Sequence, residues 1–311
     1  MKKLIFSLVF IMSCAAFAAA QDKSDAAKAE SFPYPTVPDT ITTEENRFSY
    51  FVAHMWDNLN FSKPIAGSQS FIEAMETYVQ SFAYAHPNVV TTSVRAFMNK
   101  ALCNTKNFEA IMTSAEYFLF NPFSQYANDA AFTLFATEFV KNKKASKEMR
   151  EHIQELLGNI NMCQIGKPFP NLSFTDIYGK KTDISSIESP FTLIYINPVV
   201  DDNGSNSITR VRLSTDANVN ESISNGHLKV LCLSDCKHSK EWAAEAEAYN
   251  KSWIVAATEN LKNVDIRFTP CFFLLDKDKK LVYKNITIDT VKALRFYYPS
   301  ELQSGSEEPA Q

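Results

Sequence analysis

At Gly166 the spacing of apolar residues changes, and that change constrains the fold more than any other feature of the chain. Upstream, apolar side chains recur every three or four positions, as they do along one face of a helix. Phe48, Phe51, Val52, Met55 and Trp56 form one stripe; Met75, Tyr78, Val79 and Phe82 a second; Val94, Phe97, Met98 and Leu102 a third. Others stand at Phe108, Ile111, Met112 and Ala115, at Phe132, Phe135 and Phe139, and at Met149, Ile153, Leu156 and Ile160. Downstream, Phe169, Leu172 and Phe174 alternate, and short apolar runs occupy residues 192–196, 228–233 and 272–275. Runs of that length between polar segments read as strands buried on both faces. At 311 residues the chain is long enough for two such units. The expected fold is therefore α + α/β: an N-terminal all-helical domain followed by a central sheet flanked by helices.

Local signals set the boundaries. Thr42 with Glu45, and Ser70 with Glu73, have capping-box spacing ahead of the first two stripes, and the second must end near His86-Pro87. Lys141, Lys143 and Lys144 suit the negative end of the helix before them. Residues 21–40, rich in Ala, Asp, Lys and Ser and then in Pro, read as a flexible spacer. The helical domain is placed at 41–162 and the α/β domain at 163–298, with 299–311 a disordered tail. Within the α/β domain, 205–225 and 239–250 read as helices, and the turn at Asp276-Lys277-Asp278-Lys279 returns 281–283 as a hairpin partner. A last helix carries Val291, Leu294 and Phe296.

The N-terminus reads as an export signal over residues 1–20. Lys2-Lys3 precedes an apolar run at 4–12 that is too short to span a bilayer, and Ala18-Ala19-Ala20 supplies small residues for cleavage. A second reading takes Ile11-Met12-Ser13-Cys14 as a loose lipobox, which would make the chain an outer-membrane lipoprotein lipidated on Cys14. Met12 and the apolar residues after Cys14 weigh against it, so periplasmic or extracellular release is preferred. Formal net charge is −4 and no basic stretch occurs, which excludes nucleic acid as a partner, and the membrane too unless Cys14 carries lipid.

Two sets of motifs carry a resemblance. Gly166-Lys167-Pro168-Phe169-Pro170 with Asp176-Ile177-Tyr178-Gly179-Lys180, and Phe268-Thr269-Pro270-Cys271 before the run 272–275, resemble the TlpA and peroxiredoxin branch of the thioredoxin-like proteins. The helical half, with Tyr117-Phe118-Leu119-Phe120-Asn121-Pro122, resembles the DUF5106 domain that precedes such domains in exported Bacteroidetes-type proteins. The resemblance implies a thioredoxin-like sheet with Thr269-Pro270 as a cis-proline. It also implies that the first central strand should run into Asn-Pro-Asp-Cys-x-x-Cys.

Here that strand ends Ile196-Asn197-Pro198 and continues Val199-Val200-Asp201-Asp202-Asn203, so Val200 and Asn203 fall where the resemblance implies cysteines. Disulfide exchange needs one thiolate to attack and a second thiol to resolve, and neither residue can serve. Peroxiredoxin chemistry lacks its cysteine as well, since none lies between Cys163 and Cys232. In such a fold the strand ends gather at one edge, so Asn197, Pro198, Asp201, Asp202, Thr269 and Pro270 are the expected binding rim.

Of the remaining cysteines, Cys103, Cys163 and Cys232 lie on or in apolar elements and read as buried small hydrophobes. Cys236 and Cys271 reach the expected rim and are the candidate thiols. A Cys236–Cys271 or a Cys232–Cys236 disulfide stays open, because sequence does not give connectivity. Cys232, Cys236 and His238 form a weak metal pattern against which core packing is preferred, and no metal or cofactor is assigned.

The preferred reading is an exported thioredoxin-like protein that has lost its dithiol and serves, without enzymatic activity, as a binding or structural module for a protein or peptide partner in the envelope. The alternative is a thiol-disulfide oxidoreductase using Cys236 and Cys271. A third reading makes the aromatic residues Phe120, Phe123, Tyr126 and Phe132 a partner surface; assignment of all four to the helical core is preferred, since aromatics dominate cores.

Overall fold

The computed structural model describes residues 32–65, 67–197 and 205–296. The export signal with Cys14, most of the spacer, and the tail at 299–311 lie outside the described residues.

The helical half consists of α1 (Glu44–His54), α2 (Gln69–Ser81), α3 (Pro87–Ala101), α4 (Thr105–Ala115), α5 (Asp129–Val140) and α6 (Lys147–Met162), with a π-helical turn, Glu116–Phe120, continuing α4. The stripes converge on one core. Trp56 and Phe97 stack with ring centroids 4.0 Å apart, and Tyr78 meets both edge-on at 5.1 and 5.8 Å. Full burial of a side chain of this size contributes about 2–3 kcal/mol, so this stack is the thermodynamic centre of the domain. The Tyr78 hydroxyl is kept out of trouble by the Ser93 hydroxyl 2.7 Å away.

Four expectations for this half need correction. Helices α1 and α2 begin after Thr43 and Ser68, and neither residue makes a side-chain cap bond, so the Thr42–Glu45 and Ser70–Glu73 boxes do not form. The Ser68 hydroxyl is instead bonded to that of Ser70 at 2.9 Å. The spacer does not run to residue 40: Phe32 and Tyr34 pack on Trp56 and Phe51, because aromatic rings gain more from burial than the chain gains from freedom. Lys144 serves the carbonyl of Leu102, at the end of α3, rather than the helix that precedes it. Cys103 is exposed, since it falls in the turn just after α3 and not on its buried stripe.

The second half is a seven-stranded sheet of order β2-β1-β5-β4-β3-β6-β7. Its strands are β1 (Ser173–Asp176), β2 (Lys181–Asp183), β3 (Phe191–Asn197), β4 (Leu228–Asp235), β5 (Ile254–Thr258), β6 (Cys271–Leu275) and β7 (Leu281–Ile286). Strands β3, β4 and β5 are parallel, and β6 returns antiparallel to β3. Helices α7 (Ser205–Ser214), α8 (Ala217–Ser224), α9 (Lys240–Ala246) and α10 (Ile288–Ala293) complete the domain. Leu213, Val219, Trp242 and Val291 of these helices cover the face bearing Leu193, Tyr195, Val230, Cys232, Phe272 and Leu274. The other face, with Ile194, Ile196, Leu231, Leu233, Cys271 and Phe273, is closed by Phe169, Leu172, Leu261 and Val264.

β5 has no counterpart in the expected elements. Its buried centre is Val255-Ala256-Ala257, and alanine lends a strand little of the β-branched weight that marks β3, β4 and β6. The single helix expected at 205–225 is two, because Asp216 stops the first and caps the second by accepting from the Val219 N–H at 3.0 Å. The helix expected at 239–250 ends at Ala246.

Candidate functional site

Strand register brings the expected edge together. Asn197 lies opposite Ser234, and Ile196 opposite Cys271, so the ends of β3 and β4 and the start of β6 stand level. The Thr269–Pro270 peptide bond is cis, as the resemblance implies. Of the six rim residues, Asn197, Thr269 and Pro270 are brought to this edge; Pro198, Asp201 and Asp202, together with Val200 and Asn203, lie outside the described residues.

Asn197 is not on the rim but beneath it, with 1% of its surface exposed. Its Nδ2 donates to Ser234 Oγ at 3.1 Å and Tyr249 Oη at 3.3 Å, while its Oδ1 finds no partner among the described residues. Arg210 of α7 lies over the Tyr249 ring, 4.2 Å from its centroid. Cation and ring attract at that distance, so α7 is pinned to the loop after α9. Thr269, by contrast, is exposed. Among the described residues neither Phe268 nor Thr269 makes a backbone hydrogen bond, so two successive N–H and C=O pairs find no partner there just before β6.

The candidate thiols do not meet. Alternation along a strand sends Cys271 into the Ile196–Phe273 face and Cys236 against the Cys232–Trp242 face. β3 lies between their strands, so Cys236 and Cys271 are also about 10 Å apart across the sheet. Cys232 and Cys236 share a face, but Cys236 lies beyond the end of β4 and Cys232 three residues inside it, about 10 Å of extended strand from Asp235. Disulfides close over less than about 7 Å between Cα atoms. All five described cysteines are free, so neither of the two pairings the sequence left open is formed here.

Their chemistry points the same way. Burial pushes the Cys232 and Cys271 thiols far above their ordinary range. Partial burial raises Cys236 too, and the neighbouring carboxylates of Asp235 and Glu259 raise it further. A redox-active thiol needs the opposite setting, with positive charge or a helix start to favour the thiolate. Cys163 is used structurally: it accepts from the Asp265 N–H at 3.3 Å, and burial raises its thiol as well. Among the described residues no group of three or more His, Cys, Asp or Glu is placed to hold a metal, and Cys232, Cys236 and His238 do not converge.

The segment leading into the edge is anchored to the helical half, a feature with no signal in the sequence. Arg267 stacks on the Phe120 ring at 3.9 Å, donates to the Phe120 carbonyl at 3.1 Å and pairs with Asp129 at 2.7 Å. Asp265 and Lys284 complete the cluster: Lys284 Nζ lies 2.6 Å from Asp129 and 2.7 Å from Asp265, which is 1% exposed. Asn285 holds the same segment from behind, accepting from the Arg267 N–H at 3.0 Å and donating to the Asp265 carbonyl at 2.6 Å. The aromatic residues beside this junction divide. Phe132 is fully buried, Phe120 and Tyr126 are partly buried against the core, but Phe123 is 67% exposed and meets Phe268 at 4.7 Å.

Residues 13–162 match the family model described as a domain of unknown function, DUF5106. The helical half is similar to the DUF5106 domain. Its match ends at Met162, the last residue of α6, where the helical core also ends. A thioredoxin-like protein from Bacteroides caccae superposes with a TM-score of 0.74 at 19% identity, over 85% of this chain and 97% of that one. The helical domain plus sheet therefore shares the fold of that thioredoxin-like protein. The C-terminal domain of an uncharacterized protein from Bacteroides fragilis gives 23% identity and a TM-score of 0.39, over 42% of this chain and 96% of that one. The thioredoxin domain of a thiol-disulfide oxidoreductase from Bacteroides vulgatus gives 16% and 0.36, over 42% and 96%. Comparison with curated protein sequences gives no match.

Proposed function

We propose that this chain is an exported binding module that keeps the thioredoxin-like frame without dithiol chemistry and holds an extended segment of a protein partner at the Phe268–Thr269 edge. The observation that carries the reading is the open main chain of those two residues at the lip of the sheet. Unpaired backbone beside a sheet can pair with another chain, and an extended peptide adds to it by main-chain hydrogen bonds.

Three considerations weigh against catalysis of disulfide exchange. Val200 and Asn203 fall where the resemblance implies cysteines. Cys236 and Cys271 belong to opposite faces of the sheet. Burial and carboxylate neighbours penalise the thiolate at both. The Lys2-Lys3 and Ala18-Ala19-Ala20 pattern supports a place in the periplasm or outside the cell.

Two measurements on residues 21–311 test this. In a dithiothreitol-driven insulin reduction assay the protein should add nothing to the uncatalysed rate, and an immobilised array of random decapeptides should retain it. Turnover abolished by Cys236→Ser or Cys271→Ser would replace the proposal with the oxidoreductase reading. An array that retains nothing would remove the binding reading.

A further inference from the structure

We infer that the helical domain supplies the anchoring surface of this edge: Phe123 receives an aromatic or large aliphatic side chain of the bound segment, and Asp235 with Glu259 receives a basic one. The inference rests on the peptide-binding reading above and names what that peptide must carry.

Phe123 is exposed by construction. Loop 121–128 is closed by its own hydrogen bonds: the Phe123 N–H to Asn121 Oδ1 at 3.0 Å, Ser124 Oγ to the Phe118 carbonyl at 2.6 Å, and the Asn128 N–H to the Leu119 carbonyl at 2.8 Å. Phe120 before that loop and Asp129 after it are both held by Arg267, the residue adjoining Phe268. The aromatic ring and the open main chain of Phe268–Thr269 are thus fixed to each other across the two domains. A site already ordered in its bound geometry loses little entropy on binding. Phe120, Tyr126 and Phe132 turn into the domain, and Phe123 alone of the four faces outward beside unpaired backbone.

The charge of the occupant follows from the same end of the sheet. Asp235 closes β4 opposite Thr258, and Glu259 follows directly on β5. The two carboxylates repel, and burial together with Glu259 raises the Asp235 carboxyl above its ordinary range. An approaching Lys or Arg relieves that repulsion, whereas an acidic peptide adds to it. Backbone addition alone is indifferent to sequence, so these side chains decide which segment is held.

Fluorescein-labelled decapeptides of Gly, Ser and Thr with one central Phe and one Lys are the probe, read by anisotropy against residues 21–311. The Phe,Lys peptide should bind at least tenfold more tightly than its Phe→Ser and Lys→Glu counterparts. Phe123→Ser should remove the preference for Phe, with the thermal midpoint unchanged because the ring is two-thirds exposed. The double change Asp235→Asn, Glu259→Gln should remove the preference for Lys. If the decapeptide array of the previous section retains the protein but Phe123→Ser binds the Phe,Lys peptide like the parent, the inference fails and the binding reading stands. If the array retains nothing, both fail.

Discussion

Arg267 and Asp129 meet across the junction of the two domains, Nη2 to Oδ1 at 2.7 Å, with 6% of the arginine side chain and 28% of the aspartate exposed. The pair shares its charges with Asp265 and Lys284, so two anions and two cations are withdrawn from solvent together. Such a cluster adds less to stability than its contacts suggest, because desolvation offsets most of the attraction; losing one member is costly.

Arg267→Met should therefore destabilise the protein by about 3 kcal/mol, since Asp265 and Asp129 are left with Lys284 as their one partner in the cluster. The measurement is the urea midpoint. A midpoint equal to that of the parent protein would mean that the cluster is hydrated in solution and does not bind the domains.

Acid should loosen the same junction. Burial by itself would raise the Asp129 carboxyl, but the charges of Arg267 and Lys284 more than offset it and hold it below its ordinary range. A folded value below the unfolded one, about 3.9, means that stability from this group is complete well above pH 4 and disappears as pH falls through the lowered value. Asp129→Asn should flatten the fall of unfolding free energy between about pH 5 and pH 2, and an unaltered profile would refute the assignment.

Asn107 has the same standing inside the helical domain. It is fully buried; its Oδ1 accepts from the Ile65 N–H at 2.9 Å, and its Nδ2 donates to the carbonyls of Phe61 and Lys63 at 2.7 and 2.8 Å. Asn107→Leu would strip three backbone groups of the irregular 61–65 segment of their partner. The expected cost is about 3–4 kcal/mol, from roughly 1 kcal/mol or more for each group left unsatisfied. Thermal unfolding reads it directly, and a loss under about 1 kcal/mol would show that water takes over these groups.

Alkylation should rank the thiols by burial. Iodoacetamide at pH 7.5 should label exposed Cys103 first and half-buried Cys236 much more slowly, while Cys163, Cys232 and Cys271 should react only after unfolding. Native labelling of Cys271 as fast as Cys103 would contradict the closed face that holds it.

Much of the fold was legible because its elements announce themselves over short distances. The stripes through Met55, Phe97 and Phe135, and the apolar runs of β3, β4 and β6, each sit within one window of residues and found their place in the structure. β5 escaped because Ala256 and Ala257 are buried by their neighbours and not by their own hydrophobicity. The capping boxes misled because a box is judged by spacing, while the helix start is chosen by where the chain turns.

Sequence alone determined the two-part organisation and the lack of cysteine between Cys163 and Cys232, since each is a property of order along the chain. Tertiary structure alone decided that Cys236 and Cys271 look away from each other, that Phe123 faces out, and that Arg267 ties position 129 to position 265. Those are relations between residues far apart in the chain, set by strand parity, register and packing, and no local pattern encodes them.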